Sequence, residues 1–266
     1  MSRPSVLILA VVLALGAVVG HPDHARPDEI QPDRPEITES ARLVPRGSVQ
    51  LETGLTYSKE SRAGRRAATV LGTEADLRIG LARDFELNIE GEPFVRVRGP
   101  EDDTGFGDVT LGLRYRFVEG DDDEPWSPSL GVKPFVKLPI AGEPIGTGRA
   151  AFGLLFMASF TLPLDFELEV NAGVVAVGQS GSSDYRGQAI VSASASRDLA
   201  RWMFAFVELY YSTRAQRDEP EQLALNVGLV YRVTPTLALD AAVQTSLLGQ
   251  GPDYLVRAGL SVRFGP

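Results

Sequence analysis

Two histidines, no cysteine and a long series of charges on alternate positions are the chemical resources of this chain. His21 and His24 flank Asp23 in the run His21-Pro22-Asp23-His24, and two imidazoles with a carboxylate can chelate a transition metal. A proline-containing leader makes a poor cage, so the run is read as solvated and no metal is assigned. Asp121, Asp122, Asp123 and Glu124 offer the hard oxygens that calcium takes, but without a loop-motif spacing they read as a solvated turn. Gly105-Phe106-Gly107 opens a strand rather than a helix, so it is not a phosphate loop. Barrel hydrolases move protons through an imidazole near neutral pKa. With both histidines in the leader, no catalytic residue and no cofactor is expected. The absence of cysteine also excludes thiolate chemistry and a cysteine-borne lipid anchor.

What remains is charge spaced by two. Glu52, Glu90, Arg114, Arg116, Lys133, Lys137, Glu169, Glu208, Arg232, Asp240 and Arg257 are the candidates to line a lumen. Each is also explained, and more readily, as one half of an ion pair that braces the structure. Phe204, Phe206 and Tyr210 share a face with Glu208 and could meet an aromatic solute, provided that face turns inward; the reverse facing stays open.

Such positions are set by strands. From Gly47 onward the chain is a succession of alternating runs: 47–58, 68–81, 85–97, 106–117, 129–138, 149–162, 166–177, 185–197, 201–213, 221–233, 236–248 and 254–264. In the fourth, Val109, Leu111, Leu113, Tyr115 and Phe117 alternate with Asp108, Thr110, Gly112, Arg114 and Arg116, which gives two unlike faces. Short links such as Ala82-Arg83-Asp84, Pro163-Leu164-Asp165 and Thr234-Pro235 alternate with longer polar ones such as 141–148 and 178–184. Alternation of tight turns with long loops is the habit of outer-membrane barrels. The link 118–128 is longer than that rule predicts.

The apolar face could lie in a soluble core or in lipid. Soluble strands average about 5 or 6 residues, whereas a tilted spanning strand needs about 9 to 11. Twelve runs of at least spanning length, with Glu86, Asn88, Glu90 and Glu92 on one face of a single strand, favour lipid outside and a polar interior. Twelve strands would enclose a backbone cylinder roughly 24 Å across. The last run ends Tyr254, Val256, Ala258, Leu260, Val262, Phe264 on alternate positions, which looks like the signal by which the barrel-assembly machinery recognises its clients, although Gly265 and Pro266 follow.

The ends agree with that reading. Residues 1–20 carry Arg3, an apolar stretch from Val6 to Val19 and Gly20, the layout of a secretory signal peptide. Residues 21–46 are Pro-rich and charged with no period of either kind, an irregular segment that could enter the lumen as a plug. A net charge of −9 argues against a nucleic-acid partner.

Asp33-Arg34-Pro35-Glu36, Thr38-Glu39-Ser40, Val44-Pro45-Arg46-Gly47 and Gln50-Leu51-Glu52-Thr53-Gly54 follow one another in an order that resembles the opening of the family known as MetA-pathway of phenol degradation. Gly105-Phe106-Gly107-Asp108 and Leu111-Gly112-Leu113-Arg114-Tyr115-Arg116-Phe117 match a second motif of that family; Glu36 stands where it more often has Asp. The resemblance implies an outer-membrane barrel that passes small compounds, aromatic ones among them.

The sequence thus predicts an all-β fold: an antiparallel up-and-down transmembrane β-barrel of about 12 strands over 47–266, in the bacterial outer membrane, behind a signal peptide (1–20) and an irregular segment (21–46). Its expected partners are outer-membrane lipids, the assembly machinery and a small-molecule solute. Two other readings stay open: a non-transporting barrel with a filled lumen, and a soluble periplasmic β-protein that binds a ligand.

Overall fold

The computed structural model describes residues 29–61, 68–100, 102–121, 124–217, 219–249 and 251–265. The expected signal peptide, both histidines, Asp122 and Asp123 lie outside the described residues. No helix among the described residues is long and apolar enough to cross a membrane; the crossing is made by strands.

The strands are β1 (Val49–Glu60), β2 (Ala68–Ala82), β3 (Phe85–Arg98), β4 (Asp103–Gly105), β5 (Val109–Val118), β6 (Pro128–Leu138) and β7 (Ala151–Leu162). They continue with β8 (Phe166–Gly178), β9 (Tyr185–Ala200), β10 (Met203–Ser212), β11 (Gln222–Thr234), β12 (Leu237–Gly249) and β13 (Tyr254–Phe264). Every pairing is antiparallel; long strands pair with the next long strand in sequence, β3 with β5 past the short β4, and β1 pairs with both β2 and β13, which closes the sheet. Closure removes the exposed edges that an open sheet would carry into lipid. Twelve strands are long; β4 is a three-residue piece that extends the β5 position beside the upper part of β3.

Two boundaries depart from the sequence expectation. The fourth run was expected to begin at Phe106, but Phe106–Asp108 lies outside the strands and separates β4 from β5. There the Asp108 carboxylate bonds to the Ala141 amide, 2.9 Å, and to Lys137, so the residue serves side-chain contacts across the wall. β9 also runs on to Ala200, where a turn was expected, because a shift of register at Met203 lets its last residues stay paired. The long link between β5 and β6 is present, and it is pinned by the Trp126 amide on the Thr161 carbonyl, 2.9 Å.

The alternation sorts side chains as a membrane barrel requires. Leu55 and Val174 are each 61% exposed on the outer wall, while Glu52, Glu86 and Glu208 are fully buried inside. Leaving such apolar side chains in water would forfeit about 1.5–3 kcal/mol each, so the outer face belongs in hydrocarbon. The soluble periplasmic reading falls on this point. Two bands of aromatics mark the interfaces. At the turn end Phe85 stacks on Tyr115 at 4.7 Å and Trp202 meets Tyr231 edge-on at 4.9 Å. At the loop end Tyr57 lies 6.2 Å from Tyr254, and Phe152 lies 6.1 Å from Tyr185. Phe152 and Phe160 on β7 are about 21 Å apart along the membrane normal at ordinary strand rise and tilt, close to the apolar height of outer-membrane barrels.

Candidate functional site

The interior is built around residues 29–46. This segment enters at the turn end, where the Ile30 amide donates to the Pro235 carbonyl at 2.7 Å. It crosses the inside of the barrel and returns to the wall where Gly47 donates to Gly80 at 2.8 Å. Its backbone has no ladder partner, and buried amides must find acceptors somewhere. The inward residues of the strands supply them.

Glu208 on β10 takes the Ile37 amide at 2.9 Å, the Thr38 amide at 2.5 Å and the Thr38 hydroxyl at 2.6 Å. Glu52 on β1 takes the Arg34 amide at 2.9 Å, and Glu86 on β3 takes the Val44 amide at 2.6 Å. Asn171 on β8 bonds to Glu39 twice: its carbonyl accepts from the Glu39 amide at 2.7 Å and its amide donates to the Glu39 carbonyl at 2.8 Å. The Ser159 hydroxyl on β7 accepts from the Ala41 amide at 2.9 Å. Hydrogen bonds to charged acceptors are the strong kind, contributing about 1.5–3 kcal/mol each. Apolar contacts complete the seat: Ile30 packs on Val230, Ala238 and Phe204, and Ala41 packs on Leu155, Met157 and Phe135.

Side-chain charges of the segment join those of the wall. Arg78 on β2 reaches Glu86 at 2.8 Å, Glu52 at 3.1 Å and Asp33 at 3.2 Å. Arg114 on β5 reaches Asp33 at 2.6 Å and Glu39 at 2.7 Å. Lys133 on β6 sits between Glu39 at 2.5 Å and Glu90 at 2.6 Å. Arg34 contacts Glu74 and lies 3.3 Å from Asp240. Its guanidinium passes over Gly54 and Gly259, which face each other across β1 and β13. A Cβ on either would come within 2.2 or 2.7 Å of it, so these two glycines are the groove that admits the arginine.

Burial alone would raise the Asp33 carboxyl, but the Arg114 and Arg78 guanidiniums beside it prevail and hold it below the usual carboxylate range. Glu36 has the opposite surroundings. Burial pushes it well up, and the Glu169 and Glu208 carboxylates push it further.

All eleven candidate residues lie on inward positions, but they serve three places. Glu52, Arg114, Lys133, Glu208 and Asp240 hold the segment, with Glu90 joined through Lys133 and Glu169 lying 4.0 Å from Arg42. Arg116 and Arg232 stand at the turn-end mouth, paired with Asp84 at 3.2 Å and Asp198 at 3.1 Å. Lys137 and Arg257 face the loop side, the first on Asp108 and the second 3.4 Å from Glu74. Phe206 and Tyr210 share the inner face of β10 with Glu208. Sequence reasoning put Glu86 and Asn171 on the polar face without naming them as candidates, and passed over Arg78 and the partners supplied by the segment itself, Asp33, Arg34, Glu39 and Arg42. The available signal was that residues 29–46 carry seven charged side chains, more than any wall strand.

Above the segment, toward the loops, lies an open cavity of about 1260 Å³. Carboxylates outnumber cations twelve to five among its lining residues. Beside it is a smaller space of about 190 Å³ between Ile37, Phe135, Leu155, Ile190 and Tyr210, with Lys133, Asn171 and Ser192 at its polar side.

The family model for MetA-pathway of phenol degradation matches residues 32–264, which is nearly all of the barrel together with most of the inner segment. The chain belongs to this family. Its structure is similar to the COG4313 outer membrane channel from Pseudomonas putida F1, with a TM-score of 0.70 at 14% identity, covering 89% of this chain and 100% of that one. It is also similar to the NanC porin, with a TM-score of 0.50 at 12% identity over 80% of this chain and 98% of the porin. At these identities the likeness speaks for the fold: this member of the phenol-degradation family is an outer-membrane β-barrel. No curated protein sequence matches it.

Proposed function

We propose that this barrel conducts small solutes across the outer membrane and that residues 29–46 are the plug that sets what passes. The observation that carries the reading is the division of the lumen: a water-accessible cavity of about 1260 Å³ on the loop side ends on the segment. The small space beside it has an apolar wall of Phe135, Leu155 and Ile190 with polar groups at one side, which suits a small, largely apolar or aromatic solute carrying a polar group. The COG4313 outer membrane channel and the NanC porin, which it resembles in fold, are in keeping with a conduit.

The second reading, a filled structural barrel, is favoured by the fully buried cluster of Arg78, Arg114, Glu52 and Glu86. Conductance separates the two. The purified protein in planar bilayers should pass small ions at low conductance, and a variant lacking residues 29–46 should pass more. Thr38 and Ser192 offer a milder handle, because their hydroxyls lie 2.9 Å apart and the chain has no native cysteine. In Thr38→Cys/Ser192→Cys, oxidation should lower solute uptake into liposomes and reduction should restore it. Silence of every variant, with uptake of a panel of aromatic solutes no faster than into empty liposomes, would sink the conduit reading.

A further inference from the structure

Charge on the outer wall follows a different rule from charge inside. At the loop end the outward positions of β1 and β3, which flank β2, carry Lys59, Arg96 and Arg98. Their facing follows from alternation: Tyr57 and Phe94 are exposed on the wall, whereas Glu60 and Val97 line the loop-side cavity. Lys59 is level with Thr69, and Thr69 with Arg98. Two strand spacings therefore put the Lys59 and Arg98 Cα atoms about 10 Å apart. Arg96 precedes Arg98 on the same face, opposite Leu71.

These cations are not neutralised by an ion pair among the described residues. Among the described residues none of the three has a carboxylate within ion-pairing distance, whereas at the turn end Arg83 and Arg116 are both answered by Glu119. No ion pair joins the nearby acids among the described residues to these three cations. Asp102 accepts from the Gly99 amide at 2.8 Å, Asp103 from the Thr104 amide at 2.7 Å, and Glu60 faces the cavity. Asp253 adjoins Lys59 through its backbone amide. Next to this group is the Tyr57–Tyr254 pair of the loop-end aromatic band, so the cations stand at headgroup level. A chain of net charge −9 thus carries, on its outer wall at the height where lipid phosphates lie, basic groups that no carboxylate among the described residues pairs.

We propose that Lys59, Arg96 and Arg98 form a binding site for the phosphate groups of an anionic outer-leaflet glycolipid. The planar guanidinium fork matches two phosphate oxygens at once, and the aromatic pair packs against the acyl-chain side of the same headgroup. The site depends on the outer-membrane location and not on whether the lumen conducts.

The test uses the full chain in detergent and a rough-type lipopolysaccharide as probe, with binding read by native mass spectrometry. Lys59→Gln/Arg96→Gln/Arg98→Gln should bind at least tenfold more weakly, and Arg98→Gln alone roughly threefold, should the triple variant fail to assemble. Enzymatic removal of the glycolipid phosphates should cause a similar loss against the unaltered protein. Arg83→Gln at the turn end should bind as well as the parent. The proposal is overturned by unchanged binding in the triple variant, by undiminished binding of the dephosphorylated glycolipid, or by an equal loss in Arg83→Gln. Displacement of the glycolipid by millimolar inorganic phosphate would reassign the site to a free anion and overturn the lipid assignment.

Discussion

The two halves of the lumen solve opposite problems. In the turn-side half the segment fills the barrel, and its charges and amides are matched to wall groups that water does not reach: Arg78 is 1% exposed, and Glu52 and Glu86 are fully buried. In the loop-side half the same kinds of residue surround water, and their pairs are half open, as with Arg217 and Asp184, 63% and 53% exposed. An ion pair in the first place cannot lose one member without leaving a buried charge behind. In the second it loses little, because water takes the partner's place. The same chemistry therefore braces one half and merely decorates the other.

That contrast can be broken by substitution. The largest effect is expected from Arg78→Ala, which strips Glu86, Glu52 and Asp33 of their shared cation; breaking a buried pair costs about 3–5 kcal/mol. The check is thermal unfolding of the detergent-solubilised barrel, followed by the loss of its compact electrophoretic mobility. Next comes Glu208→Gln. It keeps one acceptor but removes the charge that Ile37, Thr38 and Asn226 share. A loss of about 1.5–3 kcal/mol should appear as faster hydrogen exchange at the amides of 37 and 38, with the barrel strands unchanged.

pH should sharpen the comparison further, because two carboxyls of the segment respond with opposite sign. The depressed Asp33 carboxyl contributes stability above its unfolded value, and this is lost as pH falls through the lower folded value. Glu36, raised in the folded state, contributes most below its unfolded value, and this is lost as pH rises through the higher folded value. Exchange protection of the segment should therefore pass through a maximum under mildly acidic conditions. A profile that only rises with pH would count against a buried, protonated Glu36. The smallest effect is expected from Arg217→Gln on the loop side, within about 0.5 kcal/mol of the parent in the same melting assay.

Much of this was written locally. A period of two over spanning length, with leucines against glutamates in β3 and β8, settles strand, facing and environment together, because each neighbouring residue must point to the opposite side. Even Phe204, Phe206 and Tyr210, whose facing the sequence left open, follow once Glu208 is known to be inside. The break at Phe106–Asp108 was not legible. Asp108 is drawn from the ladder by Lys137 and the Ala141 amide, partners brought to it by the neighbouring strand and loop. Arg78 and Arg34 were passed over for the same reason, since nothing local distinguishes a buried arginine from a solvated one.

By itself the sequence determined the barrel: alternation, strand length, turn spacing and the family's opening motifs each depend only on residues close together in the chain. Only the tertiary structure decided that Asp33, Arg34 and Glu39 belong to the same charge network as Arg78, Arg114 and Lys133, and that Gly54 and Gly259 make room for an arginine. Those are relations between residues up to some two hundred positions apart, such as Arg34 and Asp240. They exist because a closed sheet has an inside, and a segment placed there must satisfy every buried amide and charge against whichever strand it meets.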